Sequence, residues 1–178
     1  MRRGKNKIDK TAICKYLDRI IGKPVSRIGR AANMVWICIG KNVMTVDWKG
    51  RKREKSEYAL HIQSPWRIIN KKKDEIVMAS SDMYSPRTGM DYSEDFNWEP
   101  QGNNLFDEKS KNWLKREIPV YIKKYKLSRW GDLTLFFSNN EKLQVFNEAS
   151  GDTESWRLLM PGSKEPHLVA SGSEIIFE

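Results

Sequence analysis

The sequence is poor in the residues from which most active sites are built. It has two histidines and two cysteines among 178 residues. His61, His167, Cys14 and Cys38 stand apart, with no CxxC or HxxxH spacing among them, so no metal site is expected. The two cysteines sit among apolar neighbours and are expected as buried, reduced thiols. No P-loop, nucleophile elbow, dinucleotide fingerprint or HExxH occurs. Neither a catalytic set nor a cofactor is therefore expected. The longest apolar run covers residues 34–39, far short of the ~20 residues that span a bilayer. The basic start is followed by no apolar stretch, so a secretory signal is not expected either. These absences point to a cytoplasmic protein that does not enter a membrane.

What the sequence does have is bulk and charge. Seven Trp, six Tyr and six Phe give enough apolar surface for a core, which excludes wholesale disorder. The net charge is +9, and it is unevenly placed. Residues 1–55 hold 16 Lys and Arg against 4 Asp and Glu, a balance of +12, while the remainder balances at −3. Such asymmetry is a common mark of contact with nucleic acid or with an acidic protein surface.

Hydrophobic periodicity predicts an α+β chain. Ile13, Leu17, Ile20 and Ile21 share one face of a helix that Asp9 caps and that Gly22 and Pro24 end. A second helix is expected over 107–117, capped by Asp107. Alternating or apolar runs predict strands at 25–32, 34–39, 57–63, 66–69, 75–80, 120–127, 133–137, 142–146, 156–160, 167–170 and 174–177. Gly40, Lys41 and Asn42 read as a turn that lets 43–48 pair back on 34–39. Residues 81–104 have no sustained period and form a long loop, of the kind that is usually functional or mobile.

The order of elements repeats. MVWICIGKNVMTVDW (34–48) aligns with LTLFFSNNEKLQVFN (133–147), SPWRII with ESWRLL, and Ala79-Ser80 with Ala170-Ser171. The expectation is two pseudo-equivalent units of one helix plus antiparallel strands, packed into one compact body: 1–82, a connecting loop 83–105, and 106–178. The first unit has nine extra residues around Lys49, Arg51, Lys52, Arg53 and Lys55, and the matching stretch of the second is acidic.

The segments RAANMVWICIG, EYALHIQSPWRI, SSDMY, NLFDEKS, ESWRLL and EPHLVASG resemble, in this order, an uncharacterised family of small bacterial proteins with paired SPWRI and SWRLL motifs. The ESWRLL…HLV ending is also similar to bacterial toxin-immunity proteins. The first resemblance brings no established activity and no catalytic residue, and the second implies a protein that neutralises a partner.

The candidate binding residues follow from charge and pairing. Five bases within seven residues repel one another, and an anionic surface relieves that repulsion, which singles out Lys49, Arg51, Lys52, Arg53 and Lys55. If Trp66 and Trp156 are buried, Arg67 and Arg157 emerge on the opposite face and could clamp one anion, or bond within their own units. Trp98 lies in the aromatic and acidic loop. The function expected is a non-enzymatic binding protein that inhibits or neutralises an acidic protein partner. Nucleic-acid binding through the basic first third, with Arg2, Arg3, Lys5, Lys7 and Lys10, is the alternative. A metal-dependent nuclease built on Asp47-Trp48-Lys49, with Glu108 or Glu141 recruited, is a third.

Overall fold

A computed structural model describes residues 9–46, 49–172 and 174–178. The chain forms two helices and two antiparallel sheets, a mixed α+β protein in which strands dominate. Helix α1 is Lys10–Asp18, and the Asp9 carboxylate accepts from the Thr11 amide at 2.9 Å. It buries Ile13, Tyr16 and Leu17 and leaves Cys14 exposed. Of the two thiols, then, only Cys38 is buried, because Cys14 falls on the solvent side of the helix.

Strands β1 (Val25–Ala31), β2 (Met34–Val46), β3 (Lys52–Ile62), β4 (Trp66–Asn70) and β5 (Glu75–Ala79) follow. A 3-10 turn at Ser80–Tyr84 leads into the long loop. Helix α2 is Leu105–Leu114. Its cap is Asn104, whose side chain accepts from the Asp107 amide, and not Asp107 itself. Strands β6 (Ile122–Leu127), β7 (Leu133–Phe137), β8 (Glu141–Val145), β9 (Glu154–Leu159), β10 (Leu168–Ser171) and β11 (Glu174–Phe177) complete the chain.

The six-stranded sheet runs β1-β2-β3-β9-β10-β11 and the five-stranded sheet β5-β4-β8-β7-β6. Each sheet therefore mixes strands from both halves of the chain. Alternation decides which faces meet. Ile37, Leu60 and Leu158 of one sheet and Leu135, Leu143 and Ile68 of the other join a single buried cluster. Tyr16 of α1 packs edge-on against Phe177 of β11, ring centroids 5.4 Å apart, while α2 lies against β1, β5 and the 3-10 turn.

Pairing registers correspond between the sheets. Val35 pairs with Ile62 and Ile62 with Trp156; Leu133 pairs with Val145 and Val145 with Trp66. Both tryptophans are buried, at 3% and 0% exposure. A register shift falls between Val25 and Arg27 in β1 and between Ile122 and Lys124 in β6.

The expected turn at 40–42 is instead an irregularity inside one 13-residue strand, β2, whose partner is β3. Gly40 has φ +86°, a conformation glycine adopts without steric cost. The chain is kinked there, and it reverses only after Val46. Residues 43–46 therefore do not pair back on 34–39; the end of β3 does. Trp48 and Asp47 lie outside the described residues.

Candidate binding surfaces

The reversal after Val46 creates a ribbon. β1 accompanies β2 only as far as Ile39, and β9 accompanies β3 only over Ala59–Ile62. Asn42 to Val46 and Lys52 to Ser56 pair solely with each other, beyond the body of the sheet. An isolated two-stranded ribbon is marginal in water, and one face of this one is seated. Val43 and Thr45 join Tyr58, Met160 and Gly162 around a shallow groove. A Cβ at Gly162 would lie 2.8 Å from the Thr45 Cβ, so only glycine permits this approach. The other face carries Met44, 64% exposed, and Val46, 62% exposed, opposite Glu54 and Lys52. Lys49, Arg51, Lys52 and Arg53 are exposed and Lys55 is half-buried.

The outer face of the five-stranded sheet is also basic. Lys126, Thr134, Gln144 and Arg67 form one cross-strand row, and Lys124, Phe136, Lys142 and Ile69 the next. The Lys124 ammonium stands 4.8 Å from the Phe136 ring centre, and the Arg67 guanidinium 5.4 Å from that of Phe146. The Gln144 amide oxygen accepts from Arg67 Nε at 3.1 Å. Burial, and then Lys71, Arg67 and Lys126 nearby, lower the Lys142 pKa. Among the ion pairs of the described residues, Arg67, Lys71, Lys124, Lys126 and Lys142 do not occur. The neighbouring acid, Glu141, is 4% exposed and turned inward, where it accepts from Trp113 Nε1 at 2.7 Å and Arg116 Nη2 at 2.8 Å. Charge counted along the chain conceals this face. Of the acids of the second half, Asp91, Glu94, Asp95 and Glu99 lie in the long loop, Glu141 is interior, and Glu154, Glu165 and Glu178 form ion pairs elsewhere.

Arg157 emerges on the outer face of the six-stranded sheet, and Arg67 on that of the five-stranded one. Each tryptophan points inward and its arginine outward, as alternation demands, but the two arginines sit on different sheets and do not converge on one anion. Arg157 is already satisfied: Nε donates to Glu154 Oε1 at 2.8 Å, Nη2 reaches Glu154 Oε2 and Glu178, and Nη1 meets His167 Nδ1 at 2.9 Å. His61 pairs with Arg157 across the sheet. Burial first, and the Arg157 cation second, hold both imidazoles below the usual histidine value. The bond from Arg157 lowers the Glu154 carboxyl.

Trp98 is tied to the body. Its ring lies edge-on to Tyr84 at 5.1 Å, and its carbonyl accepts from Arg30 and from Asn104. Arg30, 4% exposed, ties the end of the loop to α2. Its guanidinium holds Asp107 through two bonds of 2.9 and 2.8 Å and also donates to the carbonyls of Trp98, Glu99 and Pro100. Sequence reasoning passed over Arg30, although a signal existed: it follows Ile28 at an inward position of an alternating strand.

For metal chemistry the geometry offers little. Among the described residues no three of His, Cys, Asp and Glu converge. Glu108 accepts from the Thr88 amide and Glu141 from Trp113 and Arg116; Asp47 and residues 1–8 lie outside the described residues. No helix among the described residues is long and apolar enough to cross a membrane. No protein-family model matches the chain, and no curated protein or solved structure is significantly similar to it.

Proposed function

We propose that the protein is a non-enzymatic binding protein of the bacterial cytoplasm. In this reading it inhibits or neutralises an acidic protein partner, in the manner of an immunity protein, and the β2–β3 ribbon is what docks. One observation carries the reading: the ribbon leaves the sheet with one face seated and the other open, and the open face sets Met44 and Val46 opposite Glu54 and Lys52, next to the exposed Arg51 and Arg53. Methionine and arginine are enriched in protein interfaces, where an apolar centre within a charged rim is the usual anatomy. Phosphates alone would need no exposed aliphatic anchors. Cations on the ribbon guard its open edges in the free protein and steer association with an acidic surface.

The scaffold is read as an internal duplication. Support comes from the strand order, since β1-β2-β3-β9-β10 maps term by term onto β6-β7-β8-β4-β5, and from the matching register shifts in β1 and β6. Val35 to Ile62 spans 27 positions and Leu133 to Val145 spans 12, so the ribbon is the main elaboration of one copy.

The test is capture of the partner from the native host with two variants. Reversing Arg51, Lys52 and Arg53 to Glu should weaken association and flatten its salt dependence. Replacing Met44 and Val46 by Ser, which adds no charge, should weaken it without flattening. Folding stability should move by no more than about 0.5 kcal/mol in the first, because exposed charges contribute little. Unchanged affinity in both variants would remove the ribbon from the interface.

A further inference from the structure

The basic face of the five-stranded sheet is independent of the ribbon, and its chemistry differs. Cations and aromatic rings alternate along it, with no carboxylate paired to the cations. Phe136 lies between Lys124 and Lys142 in its cross-strand row. Phe146, 37% exposed, stands under Arg67. At the same end of the sheet the β6–β7 turn presents Trp130, 56% exposed, with the Arg129 guanidinium 4.4 Å from its ring centre. With the Lys126 ammonium 6.0 Å from the Phe136 ring centre as well, four aromatic–cation pairs occur on one sheet and its margin. Beside Phe136 the surface dips into a groove of about 540 Å³, lined by Lys71, Lys124, Phe136, Asn140 and Lys142 among others.

We infer that this face binds single-stranded nucleic acid, its cations tracking phosphates and Phe136, Phe146 and Trp130 stacking bases. Strands lie about 4.8 Å apart. Lys124 and Lys142 are two strands apart, so their stems stand roughly 10 Å apart, and those of Lys126 and Arg67, three strands apart, roughly 14 Å. That is room for a few nucleotides laid across the strands. A four-stranded sheet elsewhere stacks two or three bases on its aromatics in this way. Single strands are favoured over a duplex because the rings can reach only the faces of unpaired bases. An acidic protein fits less well: among the described residues of this face the one exposed aliphatic side chain, Ile76 at 57% exposure, lies on the edge strand β5 beyond Ile69, away from the rings that stand beside the cations. Repulsion among Lys142, Lys71, Arg67 and Lys126 is relieved when phosphates arrive.

The experiment measures fluorescence anisotropy of a labelled twelve-residue oligothymidylate, with the matched duplex and inorganic polyphosphate as competitors. The expected result is binding that weakens with salt and prefers the single strand to both competitors. Lys124→Gln with Lys142→Gln should reduce the magnitude of the log–log salt slope by about 1.4, since each phosphate contact on a single strand contributes about 0.7. Trp130→Ala, and separately Phe136→Leu, should weaken the oligonucleotide at least about 5-fold while leaving polyphosphate binding unchanged. Phe136→Leu keeps an apolar side chain in the half-buried position, and Trp130 is exposed, so folding does not confound the pair. Reversal of Arg51, Lys52 and Arg53 should affect the oligonucleotide less than loss of the two lysines. Equal binding of polyphosphate and oligonucleotide with no effect of the aromatic variants would overturn the inference and leave a surface of charge only. Preference for the duplex would overturn it, as would no binding, or capture by this face of an acidic protein alone.

Discussion

Arg30→Met is the most exposing perturbation of this fold. The guanidinium is buried and makes two bonds to Asp107 and three to the carbonyls of residues 98–100. Methionine fills much of the same volume but offers no donor. The carbonyls belong to loop residues, of which Glu99 and Pro100 are exposed and Trp98 keeps its bond from Asn104, so their share of the cost is small. Asp107 cannot turn: its side chain is 10% exposed, and only the Gly102 amide, at 2.7 Å, still donates to it. Removing one partner of a buried pair costs about 3–5 kcal/mol. For a chain of this length that corresponds to a fall in Tm of roughly 6–20 °C. Arg30→Met with Asp107→Leu should recover most of the loss, because an apolar pair of similar volume is often neutral. A deficit of about 1 kcal/mol should remain, since Asp107 also favours the first turn of α2. Guanidinium unfolding followed by tryptophan emission measures the stability, and amide exchange of residues 86–104 measures the loop. The reasoning fails if the single variant loses less than about 1 kcal/mol while those amides keep their protection, or if the double variant is worse than the single one.

Other consequences can be checked with the same apparatus. Trp156 Nε1 donates to the Gly131 carbonyl at 2.7 Å, whereas Trp66 Nε1 is buried with no partner; Trp→Ala should cost about 3–5 kcal/mol at either site, but Trp→Phe should cost about 1–3 kcal/mol more at 156 than at 66, and equal losses would show the bond to be worthless. His61 and His167 are held below their ordinary value of 6.5 in the folded chain. The unfolded chain therefore takes up protons first, and stability is full above pH 6.5 and declines as pH falls below it. His61→Gln with His167→Gln should flatten denaturant midpoints between about pH 6.5 and 5, a window above the range where Glu154 titrates; an unaltered slope would place its origin elsewhere. A Cβ at Gly29 would stand 2.2 Å from Trp36 Cζ2, so Gly29→Ala should cost about 1–3 kcal/mol and shift Trp36 emission to the red, and an unchanged spectrum would mean the ring yields freely.

How much was legible follows from the range of the forces involved. Alternation is local, so the strands were readable, as was the inward turn of Trp66 and Trp156. Asp9 was readable as a cap because it directly precedes α1. Asp107 was misread because Asn104 offers the same chemistry three residues earlier, and the carboxylate is drawn instead to an arginine 77 positions away. Gly40 signals a positive φ equally well whether the chain reverses or kinks, and the kink wins because β3 is long enough to pair on both sides of it. The basic face escaped notice because Lys124, Lys142 and Arg67 are scattered in sequence and become neighbours only through the pairing of β6 with β7, β7 with β8 and β8 with β4. The same scattering hid Arg157 and its two histidines as one cluster.

That mixing of strands constrains how the chain can be divided. Severed within residues 86–104, the first fragment would own three strands of the six-stranded sheet and two of the five-stranded one, and the second three of each, with both central seams, β3 to β9 and β4 to β8, left as bare edges. Neither piece could close a core alone, and each carries the edges that the other needs. The two should therefore find one another in solution and rebuild the native spectrum at a rate that rises with concentration. Either fragment alone should pair with itself or aggregate.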